Sequence, residues 1–501
     1  MTSSGPQLRR RRLGVVHIVF FTVAASAPLT VLGGGVTTTF AVTGVTAVPL
    51  SFLILAVALA LFAVGYAAMS RFVANAGAFY SYLAHGLGAT WAVAGAFVAV
   101  VSYNAIQIGL YGLFGAAVGD LVNQTTGVEL PWWAWALAAL IIVGLLGVNR
   151  VDLNANVLAV LLVLECIAVL LYDIGAFGHP AAGYAVAASW SPSSLFVPGV
   201  GAVFAFGVAA FIGFESGAIY SEEVRNPRVT VARATFVAVG FTGLFYAVSS
   251  WAMVVTVGAA DVQKQTAENG PGVVFAGLAE HWGDGVATLA NVLFLTSVFA
   301  ALLSFHNGVA RYLFALGRER VLPAALSRVS TRSGGPVAGS LAQSALAVVV
   351  VAVFAVAGAD PVLQMFTWLS GMSAVGVVLL MAGTSAAVVG FFRARPGGGS
   401  VWQRAIAPTL ATIALVALVA LLIGNFDALL GTDPTSPLRW ILPGLVLLAA
   451  VAGAIWATRL KSTRPDVYAA IGTTGGSMDD DESVVLNLPP TTGGPRHELR
   501  P

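Results

Sequence analysis

What this chain has least of is charge. Only 9% of its residues are Asp, Glu, Lys or Arg, against about 25% in soluble domains. Lysine is reduced to Lys264 and Lys461. Neither follows a glycine-rich loop and no G-x-x-x-x-G-K-[ST] occurs, which excludes a phosphate-binding loop and transport driven by the chain's own ATP hydrolysis. The single cysteine, Cys166, excludes a disulfide framework and a cysteine metal site. H-E-x-x-H is absent, the six histidines are scattered, and no G-x-S-x-G follows a strand pattern. Neither a metallohydrolase nor a serine hydrolase is supported, so no enzyme, metal or cofactor is expected. A TVGYG-type potassium filter is missing too. The net charge of +2 comes from arginines spread along loops, which leaves no basic face for nucleic acid.

What is present is apolar sequence. Hydrophobic residues make up 58% of the chain and the mean hydropathy is +0.88, the composition of an all-α polytopic membrane protein. A helix crossing a bilayer core of ~30 Å needs about 20 mostly apolar residues. Such runs lie near 15–41, 45–68, 89–117, 132–148, 155–177, 198–221, 231–258, 286–317, 338–358, 361–392, 405–425 and 438–458, which predicts twelve spans. The first of them follows Arg9 to Arg12 but is too long for a secretory signal and ends in no cleavage pattern, so it is expected to be retained.

Arginine placement predicts orientation, because cytoplasmic loops hold the excess of Lys and Arg. With the N-terminus inside, one face receives Arg9 to Arg12, Arg71, Arg150, Arg225, Arg228, Arg233, Arg311, Arg318, Arg320, Arg328, Arg332, Arg393, Arg395, Arg404 and everything from Arg459 on, while only Lys264 and Arg439 reach the other. Both termini are therefore expected in the cytoplasm. After 1–14, a basic N-terminus, the expected units are 15–177 and 198–392, each of five spans, then two further spans over 405–458. The polar stretch 465–501, with its acidic run Asp479 to Glu482, lacks the apolar content to order itself. The segment Pro271 to Gly283 on the opposite face has a short amphipathic pattern, fitting either a cap over a vestibule or a surface helix.

Two spans contain breaks. The first holds Ala24-Ala25-Ser26-Ala27-Pro28-Leu29-Thr30 ahead of Gly33-Gly34-Gly35; proline removes a helix hydrogen bond, and Ser26 and Thr30 can satisfy what it frees. A plain proline kink is the simpler alternative. The sixth carries Gly199, Gly201, Gly207, Gly213 and Gly217 beside Glu215. With five spans per unit the breaks fall at the head of each, the place where inverted-repeat transporters hold substrate between half-helices.

The residues also carry a resemblance. Gly213-Phe214-Glu215 followed by Glu222-Glu223-Val224-Arg225-Asn226-Pro227-Arg228, the Ala-Ala-Ser-Ala-Pro-Leu-Thr break, Asn75 to Tyr82, and Asn307 to Pro323 lie in collinear order over roughly residues 13–395. As a set they resemble the amino acid-polyamine-organocation (APC) superfamily, in its bacterial amino acid permease type. The resemblance implies the leucine-transporter fold, a 5+5 inverted repeat with broken helices 1 and 6 plus two extra helices. It also implies secondary transport of an amino acid or related small amine in a bacterial-type cell membrane. Where many relatives place G-[SA]-G in the first break, this chain has Ser26-Ala27-Pro28, which changes the backbone expected to bind a carboxylate.

The candidate substrate-binding residues are therefore Ala25, Ser26, Ala27, Pro28, Leu29 and Thr30 of the first break and Ala209, Ala210, Phe211, Gly213 and Phe214 of the sixth. Tyr103, Asn104 and Gln107 of the third span join them, Asn104 and Gln107 sharing a face; helix–helix hydrogen bonding is their alternative role. Glu215, near mid-span, is a candidate proton carrier, since an intramembrane carboxylate costs about 2.5–3.5 kcal/mol to insert and tends to face a cavity or partner; a fixed hydrogen bond to unwound backbone is the alternative. In related folds the fifth span approaches the first and eighth where a coupling cation sits, which makes Glu165 a candidate coupling residue, with a helix–helix hydrogen bond as its alternative. His306 is a candidate relay, or a group that simply hydrogen-bonds near the cytoplasmic end. Proton coupling or exchange is expected ahead of Na⁺ coupling. No acidic residue beside the first break favours a dicationic substrate. A transport-inactive membrane sensor and a channel are the alternative readings, and oligomeric state is not legible.

Overall fold

The computed structural model describes Val19, Val23 and residues 26–73, 78–149, 155–184, 186–214, 227–331, 333–395, 399–431 and 435–472; the side chains of 78, 155, 156, 158 and 227–232 are not described. All regular structure among these residues is helical. Among the described residues nine helices are long and apolar enough to cross a membrane, and two shorter apolar helices, Trp132–Val148 and Val200–Phe211, accompany them.

A π-helical turn, Thr30–Val36, leads into α1 (Thr37–Thr43), then α2 (Val48–Met69), α3 (Ala78–Leu87), α4 (Ala89–Thr126), α5 (Trp132–Val148) and α6 (Ala155–Gly178). After two single turns come α7 (Val200–Phe211) and α8 (Pro227–Val257), the short α9 (Val262–Asn269) and α10 (Gly272–Trp282), and α11 (Asp284–Arg318). The chain closes with α12 (Val337–Val356), α13 (Thr367–Ala394), α14 (Ala407–Gly424), α15 (Leu438–Thr463) and α16 (Pro465–Ala470). The third predicted span extends further than its hydropathy suggested, to Thr126. The third-span helix α4 is central, packed by α3, α5, α11, α13 and α15.

The two segments with predicted breaks are the most enclosed. In α7 every residue but Ala209 is buried, the mark of a helix surrounded by protein rather than lipid. Its 12 residues reach only about 18 Å, short of a bilayer core. It stops because Ile212 is extended (ψ 130°) and Gly213 takes φ 108°, a conformation glycine alone adopts without penalty.

At the other break Ala27 has φ 49°, left-handed backbone that costs a residue with a Cβ about 1–2 kcal/mol. The wide π turn that follows leaves carbonyls poorly paired, and the threonines after the glycine run answer it. Thr38 Oγ1 donates to Gly34 O at 2.5 Å and Thr39 Oγ1 to Gly35 O at 2.7 Å. A Cβ on Gly34 would stand 2.7 Å from Leu113 Cδ2 of α4, so this turn packs closer than alanine allows. The amphipathic segment 271–283 is a helix, α10, with Val274 and Leu278 buried and Phe275 edge-on to Phe294 of α11.

Candidate transport site

A cavity of about 50 Å³ opens where the two broken segments meet. Ser26, Ala27, Thr30, Val31 and Gly35 form one wall, and Phe206, Ala209, Ala210 and Ile212 form the facing one. Ile106 and Leu110 of α4, Ala301 and Phe305 of α11, and Phe366 complete it. The polar side chains among these residues, Ser26 and Thr30, both belong to the first break. Among the described residues, no Asp, Glu, Lys, Arg or His lines it.

Hydroxyl groups tie the break to its surroundings. Ser26 Oγ donates to Val23 O at 2.8 Å and lies 3.0 Å from Tyr246 Oη of α8. Thr30 Oγ1 donates to Ser297 Oγ at 2.9 Å, and Ser297 Oγ donates to Glu165 Oε2 at 2.8 Å. The backbone N–H of Leu29 points at the same oxygen, 3.4 Å away. Glu165, only 5% exposed, thus sits one layer behind the cavity and joins α6, α11 and the first break. Both groups that reach Oε2 donate to it, which suits a carboxylate.

The structure brings together Ser26, Ala27, Thr30, Ala209 and Ala210 around the cavity, with Glu165 behind them. Pro28 and Leu29 are buried in the same turn without lining it. Phe211 turns instead toward Phe52 of α2, ring centroids 6.3 Å apart, and Phe214 meets Phe62 edge-on at 5.7 Å. Gly213 forms the joint itself. Ala25 and Glu215 lie outside the described residues, as do the 222–226 loop residues of the sixth-span signature.

In the third span Asn104 and Gln107 each make one hydrogen bond within the helix and leave a buried amide oxygen without a partner. Asn104 Nδ2 donates to Val100 O at 2.7 Å and Gln107 Nε2 to Tyr111 Oη at 3.0 Å, while Tyr103 packs on Phe305 at 6.4 Å. Ile106 and Leu110, four apart and so on one face, take the cavity position. His306 is away from the cavity lining, its Nε2 2.7 Å from Ser340 Oγ of α12 and its ring against Gly147 of α5. Sequence reasoning had not selected Tyr246, Ser297, Phe305 or Phe366; an aromatic or a serine inside an apolar helix carries no signal of its own until the fold sets it beside a break.

Helices long and apolar enough to cross a membrane, with a cavity where two interrupted segments meet, fit a solute permease. The chain belongs to the amino acid permease family, whose pattern it matches over residues 13–448. It is similar to the branched-chain amino acid permease BcaP of Bacillus subtilis (strain 168), 25% identical over 362 residues, 67% of this chain and 73% of that protein. An uncharacterised transporter of Mycobacterium tuberculosis is 26% identical over 314 residues, 59% of this chain and 66% of that one. The vacuolar cationic amino acid transporter 2 of Arabidopsis thaliana is 28% identical over 374 residues, 68% of this chain and 54% of that one. These relatives are transporters, so the chain is a membrane-embedded transporter and not an enzyme.

Proposed function

We propose that the protein is a secondary active transporter that moves a small neutral amino acid, or a related monoamine, across the cell membrane by alternating access, coupled to H⁺ or working as an exchanger. The observation that carries this reading is the cavity walled on both sides by interrupted helices. Free N–H groups and carbonyls at such joints are what a zwitterion requires of a membrane interior. In this reading twelve spans form two inverted five-span units plus two helices, with both termini in the cytoplasm.

The cavity also bears on the substrate. An ammonium or guanidinium on a side chain would need a carboxylate in the lining, and among the described residues none is there; Ile106, Leu110 and Phe206 offer apolar contact instead. That favours the kind of substrate named for the Bacillus relative over the kind named for the plant one. Glu165 is the coupling group of this reading. Two donors, the Leu29 N–H and the Ser297 hydroxyl, hold it against the first break, where its protonation can be linked to the state of that joint.

The test is counterflow in proteoliposomes together with thermal shift of the purified protein against neutral, acidic and basic amino acids and simple amines. Saturable counterflow of neutral apolar amino acids, with the largest stabilisation from the same compounds, is the expected result. Preference for arginine or lysine would overturn the substrate reading, and ohmic current without counterflow would overturn transport. Ala209→Leu, which puts three extra carbons into the cavity, should cut uptake at least tenfold.

A further inference from the structure

The helix that carries Glu165 carries a second buried carboxylate. Asp173 is 4% exposed and stands eight residues further along α6, about 12 Å at 1.5 Å per residue. Its Oδ2 accepts from Ser249 Oγ of α8 at 2.9 Å, and its Oδ1 has no hydrogen-bond partner. Among the described residues it makes no ion pair. A buried carboxylate with one neutral donor and no cation is costly packing for an apolar helix, and an oxygen with no partner is the position at which a proton can be taken up or released.

The surroundings of Asp173 lead in two directions. Toward the α10 end, His281 packs on Gly175 and stacks on His179 with ring centroids 4.3 Å apart, and Trp282 Nε1 donates to Leu171 O at 2.8 Å. Two more buried polar atoms here have no partner, Tyr172 Oη and His281 Nε2. Toward the cavity, Ser249 is one turn along α8 from Tyr246, whose hydroxyl lies 3.0 Å from Ser26 Oγ in the first break. The titratable groups on the elements packed around Asp173 are Tyr172, Cys166 and His179 on α6, Tyr246 on α8, Glu280 and His281 on α10, and Asp284 at the start of α11.

We propose that Asp173 is a second proton-carrying residue of the transport cycle, taking a proton on Oδ1 from the α10 end of the molecule and passing it along α6 and α8 toward Glu165. The step is a proton hop: a proton arrives at Asp173, the same charge leaves toward the Ser26 joint through the Ser249 and Tyr246 hydroxyls and bridging water, and Glu165 receives it. The proposal rests on the reading of Glu165 as the coupling group.

The experiment measures uptake driven by an inward pH gradient, its pH profile, and counterflow at symmetric pH, in proteoliposomes of the full chain. Asp173→Asn should lose at least tenfold of the acid-driven component while counterflow stays within twofold of the parent. Asp173→Glu should restore a pH-dependent profile. Ser249→Ala keeps the carboxyl group but removes the donor that favours its ionised form, so the pH of half-maximal uptake should rise. This variant carries the test if Asp173→Asn fails to fold. If Glu165→Gln retains acid-driven uptake, the coupling reading itself falls. If Glu165→Gln loses it while Asp173→Asn and Ser249→Ala keep the parental pH profile, Asp173 is structural and the proposal is overturned.

Discussion

Two carboxylates are bound in the same way in two different parts of this molecule. Glu165 accepts from one hydroxyl, Ser297, and one backbone N–H, Leu29. Glu319, just past the end of α11, likewise accepts from the Tyr80 hydroxyl of α3 and from the N–H of Gly472 after α16. Each draws three distant stretches of chain together, and each has a strained neighbour: Ala27 and Arg320 are the two non-glycine residues with positive φ among those described. The surroundings differ. Glu165 is enclosed beside the cavity, whereas Glu319 is half-buried at the far end of a 35-residue helix. Burial and the Glu319 charge push the Tyr80 hydroxyl well above its ordinary range, so that bond keeps its proton at any working pH. In the proposed reading, the same pair of donors makes a charge switch in one place and a permanent clasp in the other.

If that distinction holds, the largest effect belongs to Glu165→Gln. Acid-driven accumulation should fall at least tenfold while exchange persists, and Glu319→Gln should leave the ratio of the two unchanged. Next comes removal of the hydroxyl donors. A hydrogen bond to a charged group contributes about 1.5–3 kcal/mol, so Ser297→Ala should change the apparent proton affinity of uptake by roughly tenfold, read as a displaced pH profile. Tyr80→Phe acts on a partly solvated carboxylate, where the expected effect is a two- to fivefold change in exchange rate with the pH profile unmoved.

The smallest effect concerns backbone. Arg320→Gly relieves left-handed strain of about 1–2 kcal/mol, which in a chain of this length raises Tm by only about 1–2 °C. Ala27→Gly relieves the same strain, but at the cavity wall, and should change the exchange rate as well as Tm. Equal behaviour of the two glycine variants in transport would erase the comparison.

Much of this arrangement is legible in the sequence, and the illegible part has physical causes. The break at Ser26-Ala27-Pro28 was readable because proline, small residues and hydroxyls coincide within an apolar run, and the joint after Phe211 because Gly213 interrupts one. Glu165 stood out as a charge in the middle of a span. Asp173 did not, because it lies five residues from the end of α6, where a carboxylate reads as interfacial until α8 and α10 are seen to cover it. In the third span Asn104 and Gln107 are polar and share a face, and the sequence left open whether they line a pocket or bond between helices; Gln107 donates to Tyr111 four residues on, while Ile106 and Leu110 line the cavity. Glu319 gave no local hint of its partners, since Tyr80 is 239 residues away and Gly472 is 153.

The claim that Glu165 is the switch and Glu319 the clasp is tested most directly by proton flux. Proteoliposomes loaded with a pH-sensitive dye are given a neutral amino acid that supports counterflow, and lumen acidification is followed on substrate addition. The account predicts acidification with the parent and with Glu319→Gln, and none with Glu165→Gln although that variant still exchanges substrate. Acidification by Glu165→Gln at the parental rate would contradict it.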